Sequence, residues 1–241
     1  MEQVKTAAIV LAAGHGKRMH SKVAKQYLLL KGEPVVVHAL RAFEKAGMDE
    51  IILVAGADEV EFCNRNIVEQ YGFTRVRQVV AGGKERYDSV RNGLCALKTV
   101  GFAEDDIVLI HDGARPLVKP EHIAAVIHDA EVFGGATLGV PVKDTIKVVN
   151  DGLIVDTPYR PHLYSTQTPQ VFQKRIYFEA VDFALEHHLD FTDDCQLAEA
   201  INCKVYMTTG DYTNLKITTP EDIFIARMLL EKRMEESTCT K

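Results

Sequence analysis

The chain has 241 residues, a formal net charge of -6 and an apolar fraction of 46%, which is typical of a folded globular protein. The acidic balance argues against a nucleic-acid-binding surface. No apolar run approaches the roughly 20 residues of a membrane span and no signal-peptide pattern is present, so the sequence predicts a cytoplasmic protein without a membrane partner. Five scattered cysteines without a CxxC pair predict neither a disulfide framework nor a zinc site.

Apolar β-rich runs alternate with amphipathic segments, and this order predicts an α/β fold with a largely parallel sheet. Asp58 is expected to cap the second helix. Strands are predicted over Lys5–Leu11, Ile51–Val54, Arg75–Val80, Asp106–His111, Ala136–Val140 and Lys204–Thr208. Helices are predicted over Pro34–Ala46, Asp58–Tyr71, from near Asp88, over Pro120–Phe133 and Lys174–His187, after the Thr192 to Asp194 cap, and from Thr219 to about Met234.

A small-residue loop follows the first strand and indicates a phosphate-bearing ligand. No carboxylate side chain lies between Glu2 and Glu33, and small residues let backbone amides approach a ligand closely. The cations that follow the loop are Lys17, Arg18, Lys22 and Lys25. The GxGxxG fingerprint fails because Met19 replaces its third glycine, and no P-loop fits around Gly83. The alternative is a tight turn with a solvated basic face.

Two later segments also carry polar groups that suit a ligand. The second loop, GGKERYDSVRNGL, places Ser89 at a helix N-terminus, unless Asp88 simply caps that helix. Asp112 follows a buried strand, where ligands bind in open α/β sheets, and its carboxylate suits Mg²⁺. Arg115 lies nearby, and an Asp/Arg ion pair that fixes the turn is the alternative for both residues.

A β-hairpin is predicted from two extended segments, Val142–Val149 and Leu153–Asp156, around an Asn-Asp-Gly turn. An exposed hairpin offers a strand edge that a second copy can cover. The hairpin therefore predicts a dimerisation arm over about residues 142–168.

Eight motifs in a fixed order resemble the 2-C-methyl-D-erythritol 4-phosphate cytidylyltransferase family. They are LAAGHGKRM, KQYL, GGKERYDSVRNGL, HDGARPLV, VPVKDTIK, QTPQVF, TDD and NLKITTPED. Ala24 departs from the family, which usually has proline before this lysine. The resemblance implies a single domain over 1–241 with a three-layer Rossmann-like nucleotidyltransferase fold, a mostly parallel central sheet and a protruding hairpin arm.

The same resemblance implies transfer of CMP from CTP to methylerythritol phosphate, with Mg²⁺ or another divalent cation, by a homodimer. It implies that Arg160 reaches the neighbouring subunit's substrate and that Asp112 holds the metal. The catalytic residues implied are Arg18, Lys25 and Lys216, and the nucleotide-binding residues are Ala12, Ala13, Gly14, His15, Gly16, Gly83 and Ser89. The residues implied to bind methylerythritol phosphate are Arg115, Thr145, Arg160, Thr168 and Thr192.

Two other functions stay open from the sequence. The first is a ribitol 5-phosphate cytidylyltransferase, which has the same CTP chemistry and a different polyol. The second is a CTP-binding regulator that has lost turnover, for which Ala24 is the only hint. The simultaneous presence of Arg18, Lys25, Asp112 and Lys216 argues against the regulator.

Overall fold

The computed structural model describes residues 4–14, 23–98, 101–189 and 191–239, with side chains described up to Glu236. The strands are β1 (Thr6–Ala12), β2 (Leu29–Leu30), β3 (Glu33–Pro34), β4 (Glu50–Ala55), β5 (Val76–Ala81), β6 (Ile107–Asp112), β7 (Gly135–Pro141), β8 (Val148–Asn150), β9 (Leu153–Asp156), β10 (Tyr164–Gln173) and β11 (Tyr206–Thr209). The helices are α1 (Val35–Lys45), α2 (Val60–Cys63), α3 (Arg86–Leu97), α4 (Pro120–Phe133), α5 (Lys174–Glu186), α6 (Asp194–Ala200) and α7 (Pro220–Cys239).

Seven strands form the central sheet, in the order β11-β7-β10-β6-β1-β4-β5. Only β10 runs antiparallel to its neighbours β6 and β7, so the predicted mostly parallel sheet is confirmed. The carboxyl ends of β1, β4, β5 and β6 consequently meet at one edge, where ligands bind in sheets of this kind.

Helices cover both faces of this sheet. Along β1, Ala8 and Val10 pack into a cluster with α1 and α4, whereas Ala7 and Ile9 pack into a second cluster with α3, α5 and α6. The alternation follows the two-residue period of a strand that is buried on both faces. The architecture is therefore three-layered, as the resemblance implied.

The start of the second helix differs from the prediction. Asp58 does not cap the second helix, because the carboxylate of Glu59 accepts the Gly56 N–H at 3.2 Å and closes a 3₁₀ turn there. In place of the predicted continuous helix, the chain forms this turn, then the short α2, and then a π-helical segment over Asn64–Glu69. The third helix begins at Arg86, and the carboxylate of Asp88 accepts the Glu85 N–H at 3.1 Å from inside its first turn.

The predicted hairpin is present, with a shorter first strand. Asp151 and Gly152 form its turn with positive φ angles of 48° and 82°, the backbone region that a two-residue hairpin turn of type I′ requires. Pairing begins at Val148 rather than Val142. Leu153, Ile154 and Val155 are 59–72% exposed on its second strand. None of the helices in the described ranges is long and apolar enough to cross a lipid bilayer.

Candidate active site

A cavity of about 510 Å³ opens at the carboxyl edge of the sheet, where the loops after β1, β5 and β6 meet. Its described lining contains seven of the predicted site residues: Ala13, Gly14, Lys25, Gly83, Ser89, Asp112 and Lys216. Leu11, Gln26, Lys84, Glu85, Arg86 and Ala114 complete this lining. Residues that are far apart in the sequence therefore share one cavity of small-molecule size.

Small residues bring the first two loops into direct contact. A side chain on Gly82 would collide with the Ala13 methyl group, and one on Gly83 would collide with Asp88. The Gly83 N–H donates to Ser89 Oγ at 3.0 Å, and that hydroxyl donates to the Glu85 carbonyl at 3.2 Å. The Gly82–Ala13 contact therefore joins the two loops, and the hydrogen bonds of Ser89 hold the second loop against the start of α3.

Asp112 and Lys216 form the charged centre of the cavity. Asp112 Oδ2 lies 2.8 Å from Lys216 Nζ and 3.7 Å from Arg115 Nε. Burial raises the pKa of Asp112, but the positive charges of Lys216, Arg86 and Arg115 outweigh it and hold the pKa well below its usual value. Asp112 is thus an ionised carboxylate at the end of a buried strand.

A short hydrogen-bonded chain fixes the turn that carries Asp112. The Asp112 N–H donates to Thr168 Oγ1 at 3.1 Å, which lies 3.0 Å from Nδ1 of His111. Burial lowers the pKa of His111 to about 4, so its ring is neutral near pH 7. The Thr168 hydroxyl can then donate to Nδ1, while Nε2–H donates to the Arg115 carbonyl at 3.2 Å. The chain joins both ends of the turn.

The segments that follow Lys25 and Lys216 in the chain meet in one apolar cluster. Leu30 and Val35 follow Lys25 in the chain, whereas Ile217 directly follows Lys216, and all three are fully buried together with Leu117 and Ala226 of α7. The Ile217 N–H also donates to the Ala114 carbonyl at 2.8 Å, which attaches this segment to the turn after β6. The segment after Lys25 and the segment after Lys216 therefore pack against each other.

Comparison with known proteins identifies the family of this chain. The family model IspD, described as 2-C-methyl-D-erythritol 4-phosphate cytidylyltransferase, matches residues 6–232. The chain belongs to this family. A 2-C-methyl-D-erythritol 4-phosphate cytidylyltransferase of Lachnoclostridium phytofermentans is 46% identical over 96% of this chain and 98% of its own length. One of Alkaliphilus oremlandii is 45% identical over 98% and 99%.

Solved structures of the cytidylyltransferase family share the fold. A 4-diphosphocytidyl-2C-methyl-D-erythritol synthase from Anaerococcus prevotii superposes with a TM-score of 0.81 at 33% identity, covering 95% of this chain and 96% of that one. The enzyme from Francisella tularensis gives a TM-score of 0.78 at 26% identity, covering 93% and 99%. Members of this family are nucleotidyltransferases, so this chain is an enzyme of the nucleotidyltransferase class.

Some residues predicted for this cytidylyltransferase site lie outside the described cavity lining or are hydrogen-bonded to other groups of the protein. Arg115 is outside the described lining, and its Nη1 donates to the Asn214 carbonyl at 2.8 Å. Its Nε lies 3.7 Å from Asp112 Oδ2, which is the ion pair given as the alternative for this residue. Thr192 Oγ1 donates to Gln196 Oε1 at 3.1 Å. Thr145 and Arg160 are exposed near the hairpin, and Ala12 is buried as the last residue of β1. His15, Gly16 and Arg18 lie outside the described residues.

Arg86 is a cavity residue that the sequence predictions did not single out. Its Nη2 donates to Asp194 Oδ2 at 2.6 Å, and the Tyr177 hydroxyl donates to Asp194 Oδ1 at 2.6 Å. Asp194 is almost fully buried, so this carboxylate requires both partners. The KER and TDD motifs could have indicated this Arg86–Asp194 pair, since each motif places charged residues at the start of a helix.

The residues of the cavity suit a divalent cation only in part. Asp112 supplies the ionised oxygen donor that Mg²⁺ prefers. Within the described ranges no group of three or more His, Cys, Asp or Glu side chains could enclose a metal. This donor set fits a cation that takes its remaining ligands from substrate phosphates and water.

Proposed function

We propose that this chain transfers the cytidylyl group of CTP to 2-C-methyl-D-erythritol 4-phosphate, forming 4-diphosphocytidyl-2-C-methyl-D-erythritol and pyrophosphate in the non-mevalonate route to isoprenoids. The observation that carries the proposal is the convergence of Lys25, Lys216 and Asp112 in one cavity. The names of its full-length relatives supply the substrate. We further propose that 1–241 is one cytoplasmic domain.

The reaction needs positioning and charge rather than a protein nucleophile. A phosphate oxygen of methylerythritol phosphate forms a bond to the α-phosphorus of CTP. The bond from that phosphorus to the bridging oxygen breaks, and its electron pair leaves with pyrophosphate. Lys25 and Lys216, together with Arg18, stabilise the negative charge that gathers on the transferring group.

The two small-residue loops bind the nucleotide in this proposal. Ala13 and Gly14 of the first loop, with Gly83 and Ser89 of the second, present backbone groups to the cytosine and ribose. In this proposal their close fit disfavours a larger purine. Asp112 would hold Mg²⁺, which supplies charge neutralisation for the CTP phosphates when bound.

The hairpin arm completes the proposal by making a homodimer. Its second strand exposes Leu153, Ile154 and Val155, which a second subunit could cover. Arg160 Nη1 donates to the Lys143 carbonyl at 3.1 Å, so its guanidinium is attached at the base of the arm. From there Arg160 would bind the phosphate of the neighbouring subunit's methylerythritol phosphate, with Thr145, Thr168, Thr192 and Arg115 as the other proposed contacts.

The deciding experiment is pyrophosphate release by the purified protein with Mg²⁺ and CTP. Methylerythritol 4-phosphate and ribitol 5-phosphate are compared in parallel, with ATP as a nucleotide control. Strong preference for methylerythritol 4-phosphate supports the proposal. Preference for ribitol 5-phosphate would keep the mechanism and change the substrate. No pyrophosphate release with either substrate would indicate the CTP-binding regulator that has lost turnover.

A further inference from the structure

Lys25, one of the lysines proposed to act in the reaction, opens a single 3₁₀ turn, Lys25–Tyr27. The Tyr27 N–H donates to the Ala24 carbonyl at 2.9 Å, and the Leu28 N–H donates to the Lys25 carbonyl at 3.4 Å. Two hydrogen bonds of this kind, one of them long, hold a three-residue turn weakly. Contacts made by the side chains of the turn therefore decide where Lys25 lies.

Gln26 attaches the turn to the end of β1. Its side chain is almost fully buried, and its Nε2 donates to the Ala12 carbonyl at 2.5 Å. Ala12 is the last residue of β1, so this bond joins the turn to the carboxyl edge of the sheet. Gln26 also lines the catalytic cavity together with Lys25. One side of the turn is thus fixed at the cavity itself.

Tyr27 attaches the same turn to the end of β4. Its hydroxyl donates to Glu59 Oε2 at 2.9 Å, and the same oxygen accepts the Gly56 N–H at 3.2 Å. Gly56 directly follows β4, so one carboxylate joins the turn to a second strand end. Burial raises the pKa of Tyr27, so its hydroxyl stays protonated and remains a donor. Hydrogen bonds that a carboxylate accepts are about twice as strong as those between neutral groups.

The neighbours of Tyr27 fix its ring as well. It meets the Phe62 ring edge-on, with centroids 5.2 Å apart and planes at 71°. Cys63 is fully buried with its Sγ 3.1 Å from the Tyr27 oxygen, so the thiol can donate to the phenol while the phenol donates to Glu59. Neither Tyr27 nor Glu59 belongs to the described lining of the catalytic cavity. Their influence on the chemistry would therefore pass through the turn.

We infer that Tyr27 and Glu59 are positioning residues for Lys25 in the proposed cytidylyl transfer. Their hydrogen bond and that of Gln26 fix the 3₁₀ turn between two strand ends, so Lys25 lines the cavity before CTP binds. A charge that is already in place stabilises a transition state without reorganisation during the reaction. The effect on turnover rests on the proposed function, whereas the effect on the lysine rests on the hydrogen bonds alone.

A double-variant cycle tests the inference. Tyr27→Phe keeps the ring packing and deletes the hydroxyl, so kcat for pyrophosphate release should fall about tenfold with the KM for CTP within about twofold. In the Lys25→Ala background the same substitution should cause no further loss, because no lysine is left to position. In the Lys216→Ala background the loss of about tenfold should persist, which shows that a slow enzyme alone does not hide the effect.

A second readout does not depend on turnover. Reductive methylation with ¹³C-formaldehyde places NMR-visible methyl groups on the lysine amines, and the Lys25 signal is the one that Lys25→Ala lacks. Tyr27→Phe should shift this signal, whereas Tyr206→Phe, which removes a hydroxyl from an exposed ring on β11, should not. If the wild type releases no pyrophosphate, the proposed function fails and this signal alone decides the positioning.

Variants of Glu59 complete the test. Glu59→Ala should reproduce the effects of Tyr27→Phe, whereas Glu59→Gln keeps an oxygen that accepts hydrogen bonds and should remain near wild type. Thermal melting checks that each variant is folded, and Tyr27→Phe carries the decision if Glu59→Ala is not. The inference is overturned by an equal loss from Tyr27→Phe with and without Lys25, or by an unchanged Lys25 signal in folded Tyr27→Phe.

Discussion

Lys216 Nζ lies 2.8 Å from Asp112 Oδ2, although the two residues are separated by most of the second half of the chain. The contact joins the carboxyl end of β6 to the segment that leads into α7. In the proposed reaction the carboxylate positions the ammonium group before CTP arrives. Loss of either charge therefore changes the other group's surroundings.

Removal of one lysine should impair chemistry more than folding. We expect Lys25→Ala and Lys216→Ala each to lower kcat by about 10²- to 10³-fold, because each deletes a preorganised charge near the transferring phosphorus. The measurement is pyrophosphate release at saturating substrates, with Lys204→Ala as the matched surface control. Near-normal turnover in a folded variant would remove that lysine from the mechanism.

Asp112→Asn should raise the Mg²⁺ concentration that turnover requires. The amide keeps the shape of the side chain and loses the ionised oxygen, so we expect at least about tenfold more Mg²⁺ for half-maximal turnover. Chelation of divalent cations should abolish turnover of the wild type, and added Mg²⁺ should restore it. An unchanged Mg²⁺ dependence in Asp112→Asn would exclude this residue as the metal ligand.

Thr168→Val should destabilise the fold, because the Asp112 N–H and His111 Nδ1 both lose their partner in a buried environment. The expected loss is about 1–3 kcal/mol in the free energy of unfolding, measured with urea. Thr168→Ser retains the hydroxyl and should recover most of it. If Thr168→Val is as stable as Thr168→Ser, the hydroxyl chain does not hold the turn.

Asp211 makes stability depend on pH. Burial raises its pKa, but hydrogen bonds from Lys119 and Thr213 lower it from 3.8 to about 2 in the folded protein. A lowered carboxyl pKa stabilises the fold above the unfolded value and loses this effect as pH falls through about 4 towards about 2. After allowance for solvent screening, Asp211→Asn should cost about 1–2 kcal/mol at pH 7. Urea unfolding from pH 7 to pH 3 should show that difference shrinking, and a constant difference would contradict it.

Mixing of two inactive variants tests whether Arg160 of the arm acts on the neighbouring subunit. If Arg160 acts on the neighbouring subunit, Arg160→Ala and Lys216→Ala chains each lack turnover alone. Equal mixing by refolding should then recover about a quarter of wild-type activity, because half of the dimers are mixed and each has one intact site. Recovery should be absent if Arg160 serves its own subunit. Light scattering on both variants confirms the dimer beforehand.

The regular elements were predictable where pattern and capping agree. Pro120 lies in the first turn of α4, and Asp193 caps α6 by accepting the Gln196 N–H, as the sequence indicated. The split around Asp58 was not predictable, since the choice between Asp58 and Glu59 as the carboxylate that closes the turn depends on the local backbone. In the candidate site, the small-residue loops and the charged residues at the ends of strands were predicted from sequence motifs.

The sequence did not predict which groups individual side chains bond to. Nothing in the HDGARP motif tells whether Arg115 points to a ligand or to the Asn214 carbonyl, because that depends on where the segment before α7 returns. Arg86 escaped notice for a similar reason. Its partner Asp194 lies 108 positions away, and their contact arises only when α3 and α6 pack on the same sheet face.

The apolar cluster around Leu30, Leu117, Ile217 and Ala226 attaches the segments that follow Lys25 and Lys216 to α7. A designer who wishes to change the accepted polyol should leave this cluster untouched, since it anchors the segments next to both lysines. Selectivity is better sought at the hairpin arm, whose side chains pack against little of their own chain. Residues of the arm can therefore be varied without disturbing the charged centre of the cavity, unlike Arg115 and Thr168, which contact Asp112.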